Sequence, residues 1–277
     1  MRQTIMESPA EVRAGGENAF YGRGAHLVLP VSGLKDRRLV IRHYRHGGLW
    51  GRLVGDVLWG HGRPLKELVV AEGALERDID TAEVVALRFR RLFGPLCRAD
   101  IFTLEISGAE DLIAFLCKLP ASEILSQKKE LIKCVARAVK RLHDSGILHA
   151  DLHLKNILLK RNDINKVYII DLDKSELCPN ATGAGLLIEQ RMGNILRLDR
   201  SVEKFMAWRP DLKLITRTDR LRFLKLYLEE PGSRETLNWK AVARKYATHH
   251  RTHRLWWKLL KRAGLGIYDF ERHQTRQ

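Results

Sequence analysis

The stretch from His149 to Asp173 constrains this chain more than any other. It reads H-A-D-L-H-L-K-N-I-L-L, then a polar interval, then V-Y-I-I-D-L-D. Asp151 and Asn156 lie five residues apart in a short loop. An apolar β-type run, Ile157-Leu158-Leu159, leaves that loop, and polar residues Lys160 to Lys166 make a turn. Val167 to Ile170 then return and deliver Asp171. Such a hairpin gathers Asp151, Asn156 and Asp171 at one end of a small sheet. Two carboxylates and an amide converging there suit Mg²⁺ and a triphosphate, because Mg²⁺ takes oxygen ligands and shares them with substrate phosphates. Upstream, Leu131, Val135, Ala138 and Leu142 recur at helical spacing, which predicts a helix over 126–145 lying on a core. Gly146 is placed to end it.

This arrangement resembles the catalytic loop H-x-D-x-x-x-x-N and the metal-binding Asp of the protein-kinase-like fold. The expected class is therefore α+β: two lobes, a small antiparallel-sheet N-lobe and a mainly helical C-lobe. Residues 1–19 read as a flexible lead-in, 20–106 as the nucleotide-binding lobe and 107–277 as the helical catalytic lobe. Within F-Y-G-R-G-A, the segment Gly22, Arg23, Gly24 would turn tightly between strands, with backbone N–H groups facing phosphate. Leu39 to Tyr44 is the next strand. Where protein kinases carry the Lys of V-A-I-K, this chain has Arg42, whose guanidinium grips as a fork rather than as a point charge. Residues 64–76 read as a helix, with Pro64 in its first turn. Glu67 on it is the candidate partner of the strand cation. Lys35, Lys66 and Arg45 remain alternative phosphate contacts. Strands over 84–89 and 99–106 complete the sheet. A hinge at 106–109, where adenine would meet backbone groups, leads to a short helix over 110–118. The metal loop reads D-L-D rather than D-F-G, and no A-P-E follows. Both departures argue against a protein substrate docked on an extended loop.

The chain carries a formal net charge of +16 and a pI near 9.9. Such an excess suggests an anionic partner: nucleic acid, an anionic membrane surface or a phosphorylated substrate. It is concentrated late, with 18 Lys and Arg against 8 Asp and Glu in residues 201–277. Helices are expected over 186–207, 218–228 and 236–263, with Trp239, Trp256 and Trp257 among the charges. Such tryptophans more often pack than bind. His249, His250 and His253 have helical spacing but no nearby acidic companion for a metal. The four cysteines form no C-x-x-C pair, so buried free thiols are expected rather than zinc or disulfides. No apolar run approaches the length that spans a bilayer. The first residues lack the apolar core of a secretory signal, so the protein is expected to stay in the cytoplasm.

Further phrases narrow the likeness. G-R-G-A, V-I-R-H-Y-R-H-G-G-L, R-P-L-K-E-L, H-A-D-L-H-L-K-N-I-L-L, Y-I-I-D-L-D-K-S and N-I-L-R-L-D-R-S-V-E-K together resemble the 3-deoxy-D-manno-octulosonic acid (Kdo) kinases of the lipopolysaccharide core kinase family. The resemblance covers roughly residues 20 to 230. It implies ATP- and Mg²⁺-dependent phosphorylation of a Kdo hydroxyl, O-4, on a lipid A precursor. It also implies peripheral attachment to the anionic cytoplasmic side of the inner membrane, and no nucleic acid partner. By the same resemblance Asp151 is the catalytic base and Asn156 and Asp171 hold the metal. Arg42 contacts phosphate with Glu67 as its partner, and Gly22, Arg23 and Gly24 cover the phosphates. His149 supports the loop, and Asp173 is an acid behind the metal site. A kinase for another core sugar, a small atypical protein kinase, and a non-catalytic basic module that binds RNA or membranes are the competing readings.

Overall fold

The computed structural model describes residues 18–21, 24–30, 38–46, 55–178, 185–212 and 215–229. Among them, six antiparallel strands build the first sheet. Strands β1 (Asn18–Tyr21) and β2 (Gly24–Pro30) form a hairpin. Strand β3 (Arg38–His43) pairs with β2. Strand β6 (Leu96–Leu104) carries β3 and then the short β4 (Leu58–Trp59) along one edge, and β5 (Val84–Phe93) along the other. The alternation of β6 explains its sidedness. Cys97, Ala99 and Ile101 are buried and pack with Tyr44, Leu58 and Leu87, whereas Leu96, Arg98 and Asp100 face outward.

Helix α1 (Gly62–Leu75) follows β4. Its buried face is Glu67, Val70, Ala71 and Ala74, a three-one-three spacing that makes one stripe. Pro64 is tolerated because first-turn N–H groups have no helical acceptor. Val70, Ala71 and Ala74 belong to the large core of the second lobe, not to the small core under the sheet. The helix that carries Glu67 is thus anchored to the lobe below.

The second lobe begins with β7 (Ala109–Asp111) and α2 (Leu112–Lys118), whose first N–H groups Asp111 caps through Ile113 and Ala114. Helix α3 (Ala121–Asp144) is the longest described. Leu131, Val135 and Leu142 of the expected stripe are buried, while Ala138 is only partly so and Val139 takes its place in the core. Each such side chain contributes about 1.5–3 kcal/mol by leaving water. The helix starts earlier than its apolar pattern suggests, because Ile124 in an otherwise polar first turn is buried as well. Gly146, at φ 75°, takes the left-handed conformation that follows the last turn. Strands β8 (Ile147–Leu148), β9 (Ile157–Lys160), β10 (Asp163–Ile169) and β11 (Glu176–Leu177) come next. Strand β10 reaches back to Asp163 across an irregularity before Val167, so the turn is shorter than the polar run 160–166 implies. Ile164 packs on the core, which holds that polar stretch in strand. Helices α4 (Ile188–Trp208) and α5 (Arg217–Glu229) complete the described lobe.

Candidate active site

Strand β8 delivers His149 into the loop that holds Asp151. The His149 backbone is held from both sides by Asn194 of α4. Its N–H donates to Asn194 Oδ1 at 3.2 Å, and its carbonyl accepts from Asn194 Nδ2 at 3.0 Å. Two hydroxyls hold neighbouring amides: Ser175 Oγ accepts from Ala150 N at 3.2 Å and Ser201 Oγ from Leu154 N at 3.1 Å. The buried His149 ring accepts from Asp151 N on Nδ1 and donates from Nε2 to the Ile170 carbonyl, both at 3.0 Å. Those partners require the neutral Nε2–H tautomer. Burial supports it by pushing the His149 pKa down. His149 therefore ties the carbonyl of the residue before Asp171 to the N–H of Asp151, and moves no proton.

The Asp151 carboxylate is 63% exposed, with His153 Nε2 at 3.5 Å and Arg197 Nη1 at 4.0 Å. His153, and to a lesser degree Arg197, hold it below the usual carboxylate range. Behind it, Asn156 is buried and donates from Nδ2 to the Asp151 carbonyl at 2.9 Å, which leaves the Oδ1 end of the amide for a ligand. The Ile170 N–H donates to the Asn156 carbonyl at 3.0 Å, joining the two loops a second time. Asp171 has φ 61°, in the left-handed region that Asp tolerates better than most residues. Lys174, at φ 60°, turns the chain again three residues on.

Arg42 reaches down from β3. It forms an ion pair with Glu67 Oε1 and lies 3.5 Å from Asp171 Oδ1. Burial works to lower its pKa, but Glu67 and then Asp171 outweigh that and hold it above its ordinary value. Glu67 is nearly inaccessible, and burial raises its pKa against the opposing pull of Arg42 and of Tyr44. Tyr44 is fully buried and donates to Glu67 Oε2 at 2.5 Å. Its ring carries the Arg42 guanidinium at 4.9 Å and the Arg63 guanidinium at 5.3 Å from its centroid. Each cation gains by lying against a desolvated ring.

Arg63, in the first turn of α1, grips Asp173 with both ends of its fork, Nε to Oδ1 at 2.8 Å and Nη2 to Oδ2 at 2.5 Å. Burial opposes the charge on Asp173, but Arg63 overrides it and keeps the carboxylate ionised. Two further contacts join α1 to the strand after this loop. Lys66 Nζ meets Glu176 Oε1 at 2.9 Å, and a Cβ placed on Gly73 would lie 3.0 Å from Leu177 Cδ2. Strand β11 pairs in turn with β8, the strand entering the Asp151 loop. The D-L-D segment is therefore braced by a cation from α1.

The structure brings Arg42, Glu67, Asp151, Asn156 and Asp171 to one end of the lobes. Gly22 and Arg23 lie outside the described residues, as do Lys35, Trp239, Trp256, Trp257, His249, His250 and His253. Gly24 opens β2 opposite Tyr21. Lys66 is engaged with Glu176, and Arg45 supplies a carbonyl to Arg63. The stretch 106–109 is a turn closed by Ala109 N donating to the Ile106 carbonyl at 3.0 Å, with Gly108 at φ 70°. Of the cysteines, Cys97 and Cys134 are buried, and all four are free thiols. The roles of Tyr44, Arg63, Asn194, Arg197 and Ser201 escaped the sequence reading, although each sits in a phrase that it singled out.

Among the described residues, no cluster of three or more His, Cys, Asp or Glu could enclose a metal. Mg²⁺ asks for fewer protein ligands, one or two carboxylates completed by substrate phosphates. Asp171 and the Oδ1 of Asn156 could supply protein ligands of that kind.

Comparison with known proteins bears on family and fold. Residues 29–227 match the model of the lipopolysaccharide kinase (Kdo/WaaP) family. A 3-deoxy-D-manno-octulosonic acid kinase of Vibrio cholerae is 33% identical over 175 residues, covering 62% of this chain and 68% of that protein. One from Photobacterium damsela subsp. piscicida is 34% identical over 170 residues, covering 60% and 65%. One from Haemophilus influenzae is 30% identical over 189 residues, covering 66% and 73%. The chain thus spans about two thirds of the length of these relatives. A solved structure, WaaP in complex with acyl carrier protein, superposes with a TM-score of 0.55 at 22% identity. It covers 91% of this chain and 89% of that one, and it establishes the protein-kinase-like fold.

Proposed function

The chain belongs to the lipopolysaccharide kinase (Kdo/WaaP) family, a family of phosphotransferases, and from that premise we propose that it moves the γ-phosphate of ATP to a Kdo hydroxyl, O-4, on a lipid A precursor. The observation that carries this reading is the Glu67–Arg42–Asp171 chain of charges beside an exposed Asp151. It supports a nucleotide phosphate gripped between lobes and a hydroxyl presented from solvent.

Asp151 is the base in this reading. The acceptor oxygen bonds to the γ-phosphorus, the bond to the ADP oxygen breaks, and the hydroxyl proton passes to an Asp151 oxygen. A carboxylate held at low pKa is a weak base. Its main work is to orient the hydroxyl until the transferring phosphoryl group makes the proton acidic, as a loose transition state requires. Arg42 neutralises phosphate charge and is itself held by Glu67. Asn156 and Asp171 would hold Mg²⁺, which when bound offsets the charge of the β- and γ-phosphates. Gly22, Arg23 and Gly24 would cover the phosphates. The anionic cytoplasmic surface of the inner membrane, where a lipid-linked acceptor resides, is the proposed location. No helix among the described residues is long and apolar enough to cross a membrane.

Mass spectrometry of lipid A–core from cells with and without the gene tests the assignment. The reading expects one phosphate fewer on Kdo when the gene is absent. An unchanged Kdo, with the phosphate lost from another sugar, would transfer the activity to that acceptor.

A further inference from the structure

The outer face of the first sheet carries a feature that phosphoryl transfer does not use. Trp59 is 80% exposed and Phe93 is 83% exposed, and Leu92 beside Phe93 is also exposed. Trp59 pairs with Leu96 from one edge of β6, and Phe93 pairs with Leu96 from the other. Residues directly opposite in antiparallel strands share a face, so Trp59, Leu96 and Phe93 form one apolar row across the tip. Next to it lies a basic row. Arg90 stands opposite Arg98, and Arg88 opposite Asp100, on the same face. Like charges directly opposite each other disfavour a ladder. Arg98 is partly offset by Asp56 at 2.9 Å and Arg88 by Asp100 at 2.7 Å, while the Arg90 side chain is exposed; Arg91 stands opposite Cys97, on the other face.

We infer that this hairpin tip, Trp59, Phe93 and Leu92 with Arg90, is the surface by which the protein docks on an anionic lipid bilayer. Aromatic side chains settle at the headgroup level of a bilayer, and arginines beside them gain from anionic lipid. The exposed aromatics are costly in water, and the exposed Arg90 beside them adds attraction for anionic lipid, so one partner suits both. Placement agrees with the proposed acceptor, and this point alone rests on the functional reading above. The Phe89 ring lies 4.2 Å from His61, the residue before α1. Arg63 follows Trp59 by four residues, so the tip lies within about 14 Å of chain from the residue that grips Asp173. A bilayer engaged at the tip therefore lies beside the end of the sheet from which α1 reaches the metal loop, within range of a lipid-linked sugar.

Co-sedimentation of the purified chain with vesicles tests this, without ATP or acceptor. Vesicles of phosphatidylcholine alone are compared with vesicles containing one quarter phosphatidylglycerol. The unsubstituted protein binds the anionic vesicles. Trp59→Ala/Phe93→Ala lowers that binding about tenfold or more, with unchanged melting temperature and ATP hydrolysis. Arg90→Glu lowers binding to the anionic vesicles and weakens its salt dependence. Full vesicle binding by both variants overturns the proposal. So does retained vesicle binding with loss of self-association in light scattering, which would make the tip a contact between two copies. A protein that binds vesicles through the tip but transfers no phosphate to Kdo would count against the functional reading and leave the docking surface standing.

Discussion

Arg63 and Asp173, 110 residues apart, meet in a two-pronged ion pair that fastens the first turn of α1 to the loop carrying Asp171. Through it, the helix that presents Glu67 and the loop that presents Asp171 are set by the same contact. The buried stripe of α1 in the large core has the same consequence. The charged chain from Glu67 through Arg42 to Asp171 is assembled in this structure.

Loss of this pair is expected to weaken nucleotide use. Asp173→Asn should raise KM for Mg·ATP by about tenfold, with a stability cost of about 1.5–3 kcal/mol for hydrogen bonds to charged groups. Arg63→Lys should recover only part of the loss, because an ammonium cannot reproduce the fork. Steady-state kinetics with denaturant melts on both variants separate the effects. Wild-type KM in both would remove the pair from the account.

Tyr44 biases Glu67 toward its charged form, after burial and Arg42 have had the larger effects. Glu67's pKa in the folded protein is raised, chiefly by burial. Its neutral form therefore favours folding below the ordinary carboxylate range, and that contribution fades as pH climbs through the raised value. The Tyr44 hydroxyl pulls the other way, toward the charged form that Arg42 needs. Tyr44→Phe should shift the acid limb of kcat/KM to higher pH while leaving the alkaline plateau nearly intact. An unmoved limb would mean that Glu67 does not govern it.

Asp151 is exposed, so its removal should spare the fold. Asp151→Asn is expected to lower kcat by about 10²–10⁴-fold, with KM for ATP and the melting temperature little changed. Asp171→Asn should instead impair Mg²⁺ and ATP use. Equal effects of the two substitutions on all parameters would show that the roles are not divided in this way.

Asn194 makes a structural prediction. Its amide satisfies both polar groups of the His149 backbone and meets His143 Nε2 at 3.2 Å. His143 is fully buried, its pKa pushed down to about 3 by burial, so it stays neutral and cannot replace the lost partner with a charge. Asn194→Leu should cost about 2–4 kcal/mol through unsatisfied buried groups and should also lower kcat. Urea melts monitored by circular dichroism give the first number. A stability change under about 0.5 kcal/mol, the range of neutral surface substitutions, would contradict the assigned role.

Local sequence carried the hairpin and the loop, because strand alternation and fixed spacing write Asp151, Asn156 and Asp171 into one short stretch. Arg42 and Glu67 were legible as candidates from the order of strand then helix. The bracing was not legible, since its contacts join residues far apart in the chain. The phrase R-H-Y-R-H shows the difference. Arg42 and Tyr44 face the site and engage Glu67, while His43 faces outward between Asp56 and Asp100. Arg45 lends a carbonyl to Arg63, and His46 bonds the Val57 carbonyl at 2.8 Å. These five adjacent residues meet six partners elsewhere in the chain, and no local periodicity reveals them. In N-I-L-R-L-D-R-S, Asn194, Arg197 and Ser201 lie along one side of α4 at spacings of three and four, toward the Asp151 loop. The helical pattern predicted that they share a side, but not what they would meet.

The most direct test is transfer from γ-labelled ATP by the purified chain to a Kdo-bearing lipid A precursor with Mg²⁺, and mapping of the product phosphate by mass spectrometry. The account predicts one labelled phosphate on Kdo at O-4, lost with Asp151→Asn in a protein that still folds. Label on a different sugar, or undiminished transfer by Asp151→Asn, would contradict it.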